Sequence, residues 1–193
     1  MIVRAWVLAI AVAAACTMGG AVQALEIQGE FGLNGTQSSW DGDIGAGGQL
    51  RMGVRLWRLV TVDFAGWTQY ARVDQRANTG LTLGIGATLP MQTFRPTLRL
   101  YAVHQHEEGL VSVKAHPWGT LFGIGAGIRH RAGGGVSLGA EVPFARTRFG
   151  ELFLFGNGSA TAFPDTSLGP LIYAGIAVGI GVNYLIVPGD QPK

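Results

Sequence analysis

The sequence predicts an all-β fold, an eight-stranded antiparallel up-and-down transmembrane β-barrel. Three observations predict it. Repeated stretches alternate apolar with polar or glycine residues at a period of two, as in Leu25-Glu26-Ile27-Gln28-Gly29-Glu30-Phe31-Gly32-Leu33. A strand sends such residues to opposite faces, and a barrel in lipid must alternate lipid-facing and lumen-facing positions. Composition is the second. Hydrophobic content is 48% and charged content 13%, against ~25% charged in a typical soluble domain, and mean hydropathy is +0.28. The third is that the connections alternate in length. Short ones fall near Trp57–Leu59, Pro90–Pro96 and Arg131–Gly135, and longer polar ones at Gly35–Asp43, Arg72–Thr79, His106–Gly119 and Ala145–Pro170. Short turns on one side and long loops on the other are the habit of outer-membrane barrels.

The chain opens on a secretory signal, residues 1–24. Arg4 supplies the positive region, Ala5 to Ala15 the apolar stretch, and Val22-Gln23-Ala24 a small-residue site for cleavage after Ala24. The run is short for a retained membrane helix. Cys16 is the single cysteine, so no intramolecular disulfide can form. Ala13 stands three residues before it, where a lipoprotein signal usually carries Leu. Residues 25–187 are expected to form the barrel, with the polar residues 188–193 as a periplasmic tail.

The eight expected strands are Leu25–Asn34, Ile44–Trp57, Val60–Ala71, Gly80–Leu89, Thr97–Gln105, Thr120–His130, Val136–Phe144 and Ile172–Tyr184. Most are near the ~9–11 residues a tilted membrane strand needs. The last is uncharged, and its Gly175 and Gly179 would also suit a helix interface. Its in-line glycines and β-branched residues favour a strand. Glycine, 31 of 193 residues, marks places in strands where bulk does not fit, such as a narrow lumen. Phe149–Phe155 reads as an apolar hairpin within the fourth long loop. Tyr70, Phe122 and Phe144 read as an outer aromatic girdle and Tyr184 as part of the periplasmic one. Trp40 and Trp118 lie in loops.

Inward positions carry the functional expectation. Glu26, Glu30, Asp63 and Glu141 oppose Arg51, Arg55, Arg99 and Arg129 in a balanced lumen. A first hairpin symmetric about Trp40/Asp41 sets Glu26 opposite Arg55 and Glu30 opposite Arg51. A turn centred on Leu59 sets Arg55 opposite Asp63. Opposed cross-strand pairs interact, and lone charges in a narrow interior are costly. An eight-stranded barrel is just wide enough for side chains to fill. The expected lumen is therefore closed by ion pairs. A soluble sandwich with these charges on its wet face is the competing architecture.

Leu25 to about Val187 resembles the small bacterial outer-membrane barrels of the OmpA/OmpX type. The resemblance rests on pattern. Gly179-Ile180-Gly181-Val182-Asn183-Tyr184 is similar to the family's Gly-x-x-apolar-x-aromatic assembly signal, with Gly179, Val182 and Tyr184 in its marked positions. The chain departs by continuing through Leu185-Ile186-Val187. The resemblance implies an exported protein of the outer membrane. Its implied partners are outer-membrane lipid, the barrel-insertion machinery, and envelope or extracellular proteins met through the long loops. The function it implies is a structural or binding role with a closed lumen; the alternatives are a narrow channel for small solutes or ions, and a lipid A-acting enzyme.

Charge argues against nucleic acid as a partner, because the 14 Lys+Arg are scattered and formal net charge is only +2. Catalytic residues and cofactors are expected to be absent. His104, His106, Glu107, Glu108, Ser112 and His116 crowd the third long connection. A His–Ser–carboxylate set can make a nucleophile, but the tight motif of lipid A deacylases is missing. The same run offers borderline metal ligands, with His104 and His106 on one strand face; the expectation from sequence is a polar loop without metal.

Overall fold

The computed structural model describes residues 25–39, 42–72, 75–109, 119, 122–124, 127–164 and 169–187. The expected signal segment with Cys16, the polar tail, Trp40, Ser112, His116 and Trp118 lie outside them. The described residues form a closed barrel of eight antiparallel strands, each hydrogen-bonded to its sequence neighbours, with β1 meeting β8. The strands are β1 Leu25–Ser38, β2 Ile44–Leu56, β3 Val60–Ala71, β4 Arg76–Thr88, β5 Arg95–Gly109, β6 Arg129–Thr147, β7 Gly150–Phe163 and β8 Leu171–Val187. Closure leaves no unpaired edge along the barrel wall, so where the strands pair they satisfy one another's backbones without water. No helix among the described residues is long and apolar enough to cross a membrane.

The outer surface is apolar. Phe31, Leu83, Leu138 and Ile176 are each more than 60% exposed. So continuous an apolar exterior is untenable in water and is what lipid covers. The interior holds the opposite set: Glu26, Gln28, Glu30, Arg55, Asp63, Arg99, Glu141 and Asn183 are all buried. This inversion of a soluble protein excludes the sandwich, whose charges would face water.

One end of the barrel, the lower, carries Leu25, Val187 and the connections 57–59, 89–94 and 148–149. The β1–β2, β3–β4, β5–β6 and β7–β8 connections leave from and return to the upper end. At the first lower turn Trp57 and Arg58 have φ of 53° and 57°, and the Leu59 N–H donates to the Leu56 carbonyl at 2.9 Å. Two consecutive left-handed residues make the tight turn whose twist matches paired strands.

Two strand expectations are corrected. Of the expected strand Thr120–His130, only Arg129 and His130 are in a strand among the described residues, and regular pairing begins there. Its apolar–glycine alternation imitates a strand, but Gly123 and Gly127 have φ of +69° and +95°, which breaks extended backbone. The missing strand is β7, inside the expected loop 145–170, and 131–135 is no turn but part of β6. β7 hid because its inward positions Phe153 and Phe155 are as apolar as its outward Leu152 and Leu154. With two errors cancelling, the count of eight survives, but β6 runs downward. Phe144 therefore sits near the lower end, at a bulge after Pro143, where the missing proline N–H is tolerated. Phe122 lies outside the strands. Tyr70 and Tyr184 fall near the upper and lower ends as expected.

Candidate functional site

The lumen is the candidate site. The β1–β2 register places Glu26 opposite Arg55 and Glu30 opposite Arg51, as the sequence predicts. Glu30 and Arg51 form an ion pair. Glu26 instead reaches Arg58 at 3.2 Å, because Arg55 turns across the lumen. Arg55 Nη1 donates to Glu141 Oε2 at 3.1 Å and its Nε donates to Thr61 at 3.2 Å. Arg55 is on β2 and Glu141 on β6, four strands apart in a ring of eight, so this pair spans the diameter. Gln28 ties the two clusters together, donating to Glu141 at 2.9 Å and to Glu30 at 3.1 Å.

Asp63 is not opposite Arg55. The tight turn is centred one residue earlier than Leu59, so Arg55 faces Thr61 and Asp63 faces Gly53. Asp63 instead accepts from Arg99 Nε at 2.8 and 3.0 Å. Arg99 also donates to Thr82 at 2.8 Å, and its guanidinium lies 4.7 Å from the Tyr101 ring centroid. At Gly84 an added Cβ would come within 2.5 Å of Arg99 Nε, so glycine makes the room this arginine occupies.

The same exchange of bulk for glycine shapes the wall between β7, β8 and β1. Phe153 and Phe155 are buried in an apolar cluster with Ala177. A Cβ on Gly179 or Gly32 would lie 2.8 Å from the Phe155 ring, and one on Gly181 would overlap Phe153. The Glu30–Arg51, Arg55–Glu141 and Asp63–Arg99 pairs and two rings therefore fill the lower half of the lumen.

Arg129 is corrected in place. It is exposed at the upper start of β6. Two residues on, buried Arg131 donates to Glu107 at 2.8 Å. Sequence reasoning also missed Glu151, which lay in the supposed loop. Glu151 accepts from Arg95 at 3.0 Å and from Asn183 at 3.1 Å; Arg146 comes within 3.4 Å. These close the lower mouth.

Above the plug lies a cavity of about 90 Å³ of mixed lining, into which the amides of Asn34, Gln49, Gln69, Asn78, Gln105 and Asn157 are set. The side-chain oxygens of Asn34, Asn78 and Gln105 are buried and accept no hydrogen bond among the described residues. A chamber of that size has room for several waters to satisfy them. Val103, Phe163 and Leu171, with Tyr101 and Tyr173 against them, narrow the barrel towards its upper end.

Gly179, Val182 and Tyr184 all lie on β8, the strand that closes the ring on β1. Val182 and Tyr184 point outward and are exposed. His104 and His106 belong to β5, not to a loop, and His130 joins them from β6.

No protein-family model and no curated protein matches the chain. Among solved structures, Neisserial surface protein A is 16% identical, with a TM-score of 0.55 over 82% of this chain and 96% of that one. The N-terminal β-barrel domain of Pseudomonas aeruginosa OprF is 15% identical over 83% of this chain and 98% of that chain, with a TM-score of 0.49. The Yersinia pestis attachment invasion locus protein Ail is 12% identical over 82% and 97%, with a TM-score of 0.47. The first of these likenesses carries the conclusion that the fold is the one used by small eight-stranded outer-membrane barrels.

Proposed function

We propose that the protein is an outer-membrane barrel with a closed lumen, serving the envelope as a structural and binding element and catalysing nothing. The observation that carries this reading is the Arg55–Glu141 pair, which joins opposite walls across the lumen with both side chains at most 2% exposed. A water-filled pore needs a free path along its axis; a buried pair across the diameter, seated beside Phe153 and Phe155, removes it. The apolar exterior and the barrel fold support residence in a bilayer. The lower end, with its short turns and the chain entry at Leu25, is the periplasmic end. The upper connections, 110–128 the longest, are then the surface offered to extracellular or envelope partners.

The outward Val182 and Tyr184, with Gly179, suit β8 as the strand read by the insertion machinery, since it is the last made and the one that seals the ring. Outer-membrane lipid is the remaining partner.

The test is planar-bilayer conductance of folded protein. The wild type is expected to stay silent, and the Arg55→Ala/Glu141→Ala double variant to show discrete steps. Steady channel steps from the wild type would sink the closed lumen in favour of a narrow solute channel.

A further inference from the structure

The upper rim of the barrel wall holds a histidine cluster that the closed-lumen reading does not use. His104 and His106 are two apart on β5 and share its outward face. His130 stands directly opposite His106 in the β5–β6 register. Their ring centroids are 4.7, 4.8 and 5.5 Å apart, and one nitrogen from each falls within a 4.8 Å span. His104 and His130 are exposed on that outer face and His106 is buried. Gly123 packs on His106, so closely that a Cβ there would come 2.5 Å from Nε2. The chain returning from the long upper connection thus roofs the cluster, and Gly123 at φ +69° allows that approach.

We propose that His104, His106 and His130 form a binding site for a divalent transition-metal ion of the zinc or copper class. Imidazole suits these ions and not the oxygen-seeking calcium or magnesium. His130 Nδ1 and His104 Nε2 are 3.3 Å apart. Two nitrogens on one tetrahedral zinc, each at about 2.0–2.1 Å, have a separation of roughly that size. All three side chains rise from paired, adjacent strands, so the third nitrogen lies within side-chain reach of the same ion. Three protein ligands leave a coordination position for water or for a group on a partner. A metal here would pin the start of β6 and the segment at Gly123 to the end of β5, fixing the base of the longest upper connection. The cluster sits on the outer wall and not in the lumen, so binding does not depend on whether the lumen is open.

The experiment is calorimetric titration of Zn²⁺ alone into the folded full chain, carrying no polyhistidine tag, with folding checked by gel mobility. Saturable binding of one ion per chain is expected. His104→Ala and His130→Ala, both at exposed positions, are each expected to weaken it by more than the roughly 10–100-fold that loss of an outer-shell partner costs. Absorption spectroscopy of the loaded wild type is expected to show imidazole nitrogen ligands. Failure of the folded wild type to bind Zn²⁺ would overturn the proposal, as would binding that survives both substitutions together.

Discussion

Gly181 shows how the residue scale governs this barrel. Its missing side chain is the space that the fully buried Phe153 ring fills from the neighbouring strand. Gly181→Ala is expected to lower stability by about 1–3 kcal/mol, the usual cost of overpacking. The midpoint of urea unfolding in lipid vesicles reads this, and adding Phe153→Leu should recover much of the loss. An unchanged midpoint would mean the ring does not sit against β8. Arg55 and Glu141 obey a different rule. Arg55→Met strips a buried carboxylate of its main partner, leaving the Gln28 donor, and is expected to cost about 3–5 kcal/mol. Adding Glu141→Leu removes the orphaned charge and should restore most of that stability. A double variant no better than the single one would show that the pair is not the coupled unit described here.

β7 is the element on which the expectation and the structure part most sharply. As a loop, Phe149–Phe155 would tolerate charge throughout; as a membrane strand it does not tolerate charge at its lipid-facing positions. Leu154 is outward and half exposed, fifth of the 14 residues of β7. Leu154→Arg is expected to destabilise the folded barrel by about 2–4 kcal/mol, the cost of a basic residue near the bilayer midplane. The same vesicle unfolding assay reads it, and a neutral result would return the segment to the outside of the membrane. Exposed Ile124, on the segment before β6, lies outside the strands, so Ile124→Arg serves as the contrasting substitution and should cost little.

For the molecule as a whole, closure is what makes the strands stable together. Each of the eight is paired on both sides, and opening any seam exposes a row of backbone groups to lipid. Such a ring opens all at once or not at all. Unboiled protein is therefore expected to migrate differently from boiled protein on a denaturing gel, with a β-type circular-dichroism spectrum before heating. Identical mobility and a helical spectrum would refute the barrel.

The sequence by itself determined the fold class, most strand positions, the faces of the residues in the strands it located, and the Glu26–Arg55 and Glu30–Arg51 registers. It did so because lipid imposes a two-residue period and because a hairpin fixes its own register locally. It did not determine which carboxylate each arginine meets. Arg55 passes over its own hairpin to reach Glu141, 86 positions away, a choice made only when the ring closes. Nor did it reveal β7, since alternation disappears where the lumen side is packed with phenylalanine against glycine. With β7 hidden, β6 is read in the wrong direction, and His130 is assigned to the opposite end of the barrel from His104. Only the closed ring brings those histidines together, because strand direction is a property of the pairing partner and not of the strand's own residues.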